Sequence, residues 1–101
     1  MIRKEENPWS EAIVMICTKC GKSISGMKEA NVADNLKMFY KKSLKESGDG
    51  KKIRVVTASC LDICEDEFQA ITIATNDKVE SFIMHPEKDR DAFLEMLKKK
   101  I

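Results

Sequence analysis

Apolar and polar positions along the chain fall into six patterned segments separated by breakers. Ala12-Ile16 is a short apolar run rich in β-branched residues, which predicts a strand buried on both faces and ending directly at Cys17. The segment Cys17-Gly26 then carries glycines and hydroxyl residues and reads as a loop. From Met27 to Glu46 there is no Gly or Pro, and Val32, Leu36, Tyr40 and Leu44 recur every fourth residue, with Phe39 widening the stripe. That spacing predicts an amphipathic helix, with Lys41, Lys42 and Lys45 in its later turns complementing the helix dipole. Ser47-Gly48-Asp49-Gly50 is a stop-and-turn signal. Lys52-Ser59, carrying Ile53, Val55 and Val56, predicts a second strand that runs into Cys60. Phe68-Thr75 alternates Phe68, Ala70 and Thr72 against Ile71 and Ile73, Asn76-Asp77 suits a two-residue hairpin turn, and Val79-Met84 is the returning strand. Pro86 fits the first turn of a last helix, with Glu87 and Asp89 near its start and Phe93, Leu94, Leu97 and Ile101 facing inward.

The predicted order is therefore β-α-β-β-β-α, an α/β domain with a mixed sheet. A single long helix between the first two strands implies a parallel crossover, and the hairpin adds antiparallel strands at one side. Residues 1–11 form a polar lead-in interrupted by Pro8, whose Trp9 has the means to fold back onto the domain formed by residues 12–101. At 101 residues the chain holds one core.

Charge narrows the function classes. Lys and Arg total 18 against 17 Asp and Glu, a formal +1, which argues against a protein built to coat nucleic acid or an anionic membrane. The longest strongly apolar run, Ile13-Ile16, is far short of the about 20 residues that cross a bilayer. No signal-peptide core follows Arg3 and Lys4, so the expected location is cytoplasmic, with no membrane and no nucleic-acid partner.

The four cysteines change the picture most. Cys17 and Cys20 form a C-x2-C pair and Cys60 and Cys64 a C-x3-C pair. Close thiol pairs in a reducing compartment point to metal or redox chemistry rather than to structural disulfides. Each pair follows a predicted strand, so if those strands are parallel neighbours both loops emerge at one sheet edge and four thiolates can meet around a metal. Iron–sulfur and zinc both suit such a donor set; Cys17-Thr18-Lys19-Cys20-Gly21 looks like a zinc knuckle, and a zinc-stabilised binding module is one alternative. A thiol-disulfide oxidoreductase using Cys17 and Cys20 is another, although no proline lies between Pro8 and Pro86 to supply a cis-proline loop. Incidental buried cysteines, packing as small hydrophobes, are the plainest reading.

A cysteine pair after the first strand, a long helix, then Cys60-Leu61-Asp62-Ile63-Cys64 after the second strand resembles the thioredoxin-like [2Fe-2S] ferredoxins. The apolar hairpin and the proline-led acidic helix start at Pro86-Glu87 extend the resemblance over Ile13 to Ile101. The chain differs from that family in its narrow first pair and in Glu65-Asp66-Glu67-Phe68, where Gly and Pro are common. The resemblance implies a thioredoxin-like fold and a [2Fe-2S] cluster ligated by Cys17, Cys20, Cys60 and Cys64. It also implies one-electron transfer to a redox partner protein, by a carrier rather than a catalyst, acting as monomer or homodimer. Backbone N–H groups near Gly21 and Gly26 would offset the cluster charge. The acids Glu65, Asp66 and Glu67 would oppose reduction or dock a basic partner, or simply form a solvated loop.

Other candidates for chemistry are few. His85, the sole histidine, stands before Pro86 and reads as a surface or capping residue. Lys98-Lys100 reads as a solvated helix end, and Met15, Met27, Met38, Met84 and Met96 as packing residues. The sequence has no Gly-rich phosphate loop and no nucleophile–base set.

Overall fold

A computed structural model describes residues 1–20, 24–27, 31–63 and 65–99. The elements follow the order β1 (Ala12–Cys17), α1 (Val32–Glu46), β2 (Ile53–Ala58), β3 (Gln69–Thr75), β4 (Val79–Met84) and α2 (Arg90–Lys99). The four strands make one mixed open sheet in the order β2-β1-β3-β4. β1 and β2 run parallel, with Val14 opposite Val55 and Cys17 opposite Ala58, while β3 is antiparallel to both β1 and β4. The crossover and the hairpin are as the sequence predicts. The turn at Asn76-Asp77 closes through Thr75, whose N–H donates to the Lys78 carbonyl at 2.9 Å.

Both helices lie on one face of the sheet. Val14, Ile16, Ile53, Val55, Ile71, Ile73 and Met84 share a single core with Val32, Leu36, Tyr40 and Leu44 of α1 and Phe93, Leu94 and Leu97 of α2. The Tyr40 and Phe93 rings meet at 5.6 Å between centroids, and the Tyr40 hydroxyl donates to the Arg90 carbonyl at 3.0 Å. Arg90 in turn lays its guanidinium 4.0 Å over the Phe39 ring. The predicted inner stripes of both helices are thus the buried ones, except for Ile101, which is outside the described residues.

The strand ahead of Cys17 is not buried on both faces. Val14 and Ile16 are fully buried, but Ile13 and Met15 are only half-buried. With both helices on one side, the opposite face of β1 is roofed by neither helix. The first helix also starts later than Met27: Asn31 precedes it with no side-chain cap bond, and Met27 instead closes a turn through its N–H to the Ile24 carbonyl. The far end of α1 is well defined. Gly48 takes φ +84°, its N–H donates to the Lys45 carbonyl, and the Asp49 N–H donates to the Leu44 carbonyl. These two bonds make a Schellman stop, in which a residue without Cβ tolerates the left-handed conformation.

Ahead of α2, Pro86 to Lys88 form a turn rather than helix, and α2 begins at Arg90. Asp89 leads into it: its carbonyl accepts the Phe93 N–H, and its carboxylate accepts the His85 N–H, closing the turn ahead of the helix. His85, read from sequence as a surface or capping residue, closes this turn: its Nδ1 accepts the N–H groups of Glu87 and Lys88, each at 3.2 Å.

Candidate metal centre

The parallel register decides at which edge of the sheet the cysteine loops leave. Cys17 is the last residue of β1 and pairs with Ala58, so Cys60 follows two residues beyond the same end of β2. The Thr18 N–H extends the ladder to the Ala58 carbonyl at 2.8 Å, and its hydroxyl reaches the Ser59 carbonyl at 3.5 Å. Both cysteine-bearing loops therefore leave the sheet at one edge. Strand alternation places Cys17 on the face opposite the helices, with Met15 and Ala70.

There the chain builds a second, smaller apolar cluster. Cys17 and Cys20 are buried with Ala70, and Leu61 and Ile63 pack onto them from the other loop. Cys17 is 0% and Cys20 1% exposed. Cys60 is exposed, and its thiol donates to the Asp62 carboxylate at 3.5 Å. Cys64 lies outside the described residues, as does Gly21. Among the described residues, no three Cys, His, Asp or Glu side chains are grouped as a metal site.

Two contacts that the sequence reading missed join the loops. The Glu67 carboxylate accepts the Ser25 N–H at 3.0 Å and the Ser25 hydroxyl at 2.6 Å, tying the segment after Cys20 to the segment after Cys64. Glu67 is therefore a clasp between the two cysteine loops. Only Glu65 and Asp66 of that acidic run stay simply exposed. Asp62 and Glu67 both have positive φ, 58° and 71°. Such backbone costs about 1–3 kcal/mol per residue and persists where surrounding contacts hold it.

Gln69 is the second. It is fully buried at the start of β3, where Nε2 donates to the Cys17 carbonyl at 2.7 Å and to the Ala70 carbonyl at 3.0 Å. Its Oε1 has no hydrogen-bond partner among the described residues. The sequence carried a signal for it, because Gln69 occupies the same alternation phase as Ile71 and Ile73. A polar residue in a core-facing phase marks a site where polarity is required.

The donor chemistry at this edge fits a soft metal centre. Thiolates are the ligands of iron–sulfur clusters and of four-cysteine zinc. An apolar lining by Ala70, Leu61 and Ile63 keeps water from the inner pair of sulfurs. No helix among the described residues is long and apolar enough to cross a membrane. Comparison with protein-family models, curated proteins and solved structures finds no match to this chain.

Proposed function

We propose that the chain is an electron carrier of thioredoxin-like type, holding a [2Fe-2S] cluster on Cys17, Cys20, Cys60 and Cys64 in the reducing cytoplasm. The observation that carries this reading is the packing of Leu61 and Ile63 against Cys17 and Cys20. Leu61 and Ile63 lie between Cys60 and Cys64 in sequence, so the segment that joins the second pair packs on the first. When bound, the cluster supplies a one-electron couple. The chain's own contribution is to bury the inner thiolates and to hold the loops with the Glu67–Ser25 clasp. Burial and nearby acids both disfavour the more negative, reduced form and lower its potential.

The same burial counts against thiol-disulfide exchange, which needs a sulfur open to attack by a partner's thiolate. Anaerobic purification tests the proposal. The protein should be red-brown, with about two iron and two labile sulfide per chain. About one zinc per chain without visible absorption would replace the cluster by a structural zinc site.

A further inference from the structure

Away from the cysteines, a groove of about 800 Å³ runs between the second half of α1 and the outer edge of β2. Its apolar lining is Met38, Leu44, Ile53 and Val55, and its cations are Lys41, Lys42, Lys45, Lys51, Lys52 and Arg54. No acidic side chain among the described residues lines it. Among the described residues only Lys52 of these cations is ion-paired, to Asp49 at 3.6 Å. A chain with a formal charge of only +1 has thus gathered a third of its 18 basic residues around one groove.

The groove borders an open sheet edge. Among the described residues, β2 has β1 as its only neighbour in the sheet. The Ala12 and Thr18 N–H groups donate to the Lys52 and Ala58 carbonyls, and this parity turns the backbone groups of Ile53, Val55 and Thr57 away from β1. Outward N–H and C=O groups on an edge strand are a template for an added strand. Lysines on an edge also deter pairing with neutral or basic strands, which selects for an acidic one.

We propose that this groove docks an extended acidic segment of a partner protein, added as a strand along β2, with apolar side chains over the exposed Met38 and the lysine stems, above the floor of buried Leu44, Ile53 and Val55, and carboxylates on the surrounding lysines. Three features of the described residues favour a peptide over a nucleic acid: the apolar lining, the unpaired strand edge, and the lack of any aromatic side chain lining the groove on which bases would stack. The site is independent of the cysteine loops, so its failure and that of the cluster are separate results.

The test is fluorescence anisotropy with a labelled decapeptide of alternating glutamate and valine. It should bind saturably and weaken as salt is raised. The glutamine-for-glutamate peptide and the version N-methylated on alternate amides should each bind about tenfold more weakly. Lys41→Glu with Lys45→Glu should abolish binding, and the milder Lys41→Gln with Lys45→Gln should weaken it. Both positions are exposed on α1, so circular dichroism should show an unchanged fold. Absence of saturable binding, indifference to the lysine variants, or indifference to N-methylation would overturn the proposal. Tighter, groove-dependent binding of a single-stranded oligonucleotide or of phosphatidylglycerol vesicles would overturn it in favour of a phosphate-bearing ligand.

Discussion

Tyr40 joins the two helices through one ring and one hydroxyl, and its chemistry gives a measurable pH signature. It is fully buried, its ring meets Phe93, and its hydroxyl donates to the Arg90 carbonyl. Burial holds its phenol well above the ordinary tyrosine value, and the nearby Arg90 charge offsets this only in part. The unfolded chain releases this proton near pH 10 while the folded chain keeps it, so stability is lost as pH rises through about 10. Tyr40→Phe should cost about 1 kcal/mol at neutral pH through the lost hydrogen bond. Its deficit against the natural protein should shrink between pH 9 and 11, as followed by urea unfolding; a constant deficit would contradict the assignment. Glu67 gives a second residue-level prediction. Glu67→Ala should cost about 1 kcal/mol or less, because the clasp is exposed, yet should speed hydrogen exchange at the Ser25 amide. Unchanged exchange at Ser25 would mean the clasp does not hold the loop. Nothing in the local sequence reveals this contact, because the two residues lie 42 positions apart.

At the level of elements, legibility followed periodicity. The stripe Val32, Leu36, Tyr40 and Leu44 marks the buried face of α1, and all four are buried. The helix start was not legible, because absence of Gly and Pro from Met27 onward is permission rather than a signal. Four residues before Val32 the stripe would need an apolar side chain, and Lys28 stands there. For β1, an unbroken apolar run read as burial on both faces, whereas the helices cover only one. Side-chain hydrophobicity cannot report on which side a distant helix will pack. The entry to α2 was half legible: Asp89 near a helix start is a general signal, but its bond back to the His85 N–H needs the turn at Pro86. Asp89→Ala should therefore cost about 1 kcal/mol in unfolding, the usual worth of one hydrogen bond. A cost near zero would show the turn to be held by the His85 ring alone. Leu97, fully buried in α2, should cost about 2–5 kcal/mol as Leu97→Ala.

Across the whole molecule, two apolar clusters divide the work. The main core joins the sheet to both helices, and the cysteine cluster stands apart from it on the opposite face, at the carboxyl ends of β1 and β2. Metal removal should accordingly loosen the loops around Cys20 and Leu61 without unfolding the sheet and helices. Hydrogen exchange and far-ultraviolet circular dichroism check this; global unfolding on chelation would show that the main core does not stand alone. That Cys17 and Cys60 leave the sheet at one edge was legible in the sequence, from a helical crossover between two apolar strands. That one pair is buried while Cys60 is exposed was not, since it depends on how Leu61 and Ile63 seat on Cys17 and Cys20. The most direct test of the four-cysteine centre is metal bound per chain in anaerobically prepared Cys60→Ser and Cys64→Ser proteins, set beside Cys17→Ser and Cys20→Ser. A shared centre predicts that all four lose or reshape the metal to a similar degree, because each pair supplies half the thiolates. Full metal retention in Cys60→Ser and Cys64→Ser would contradict it.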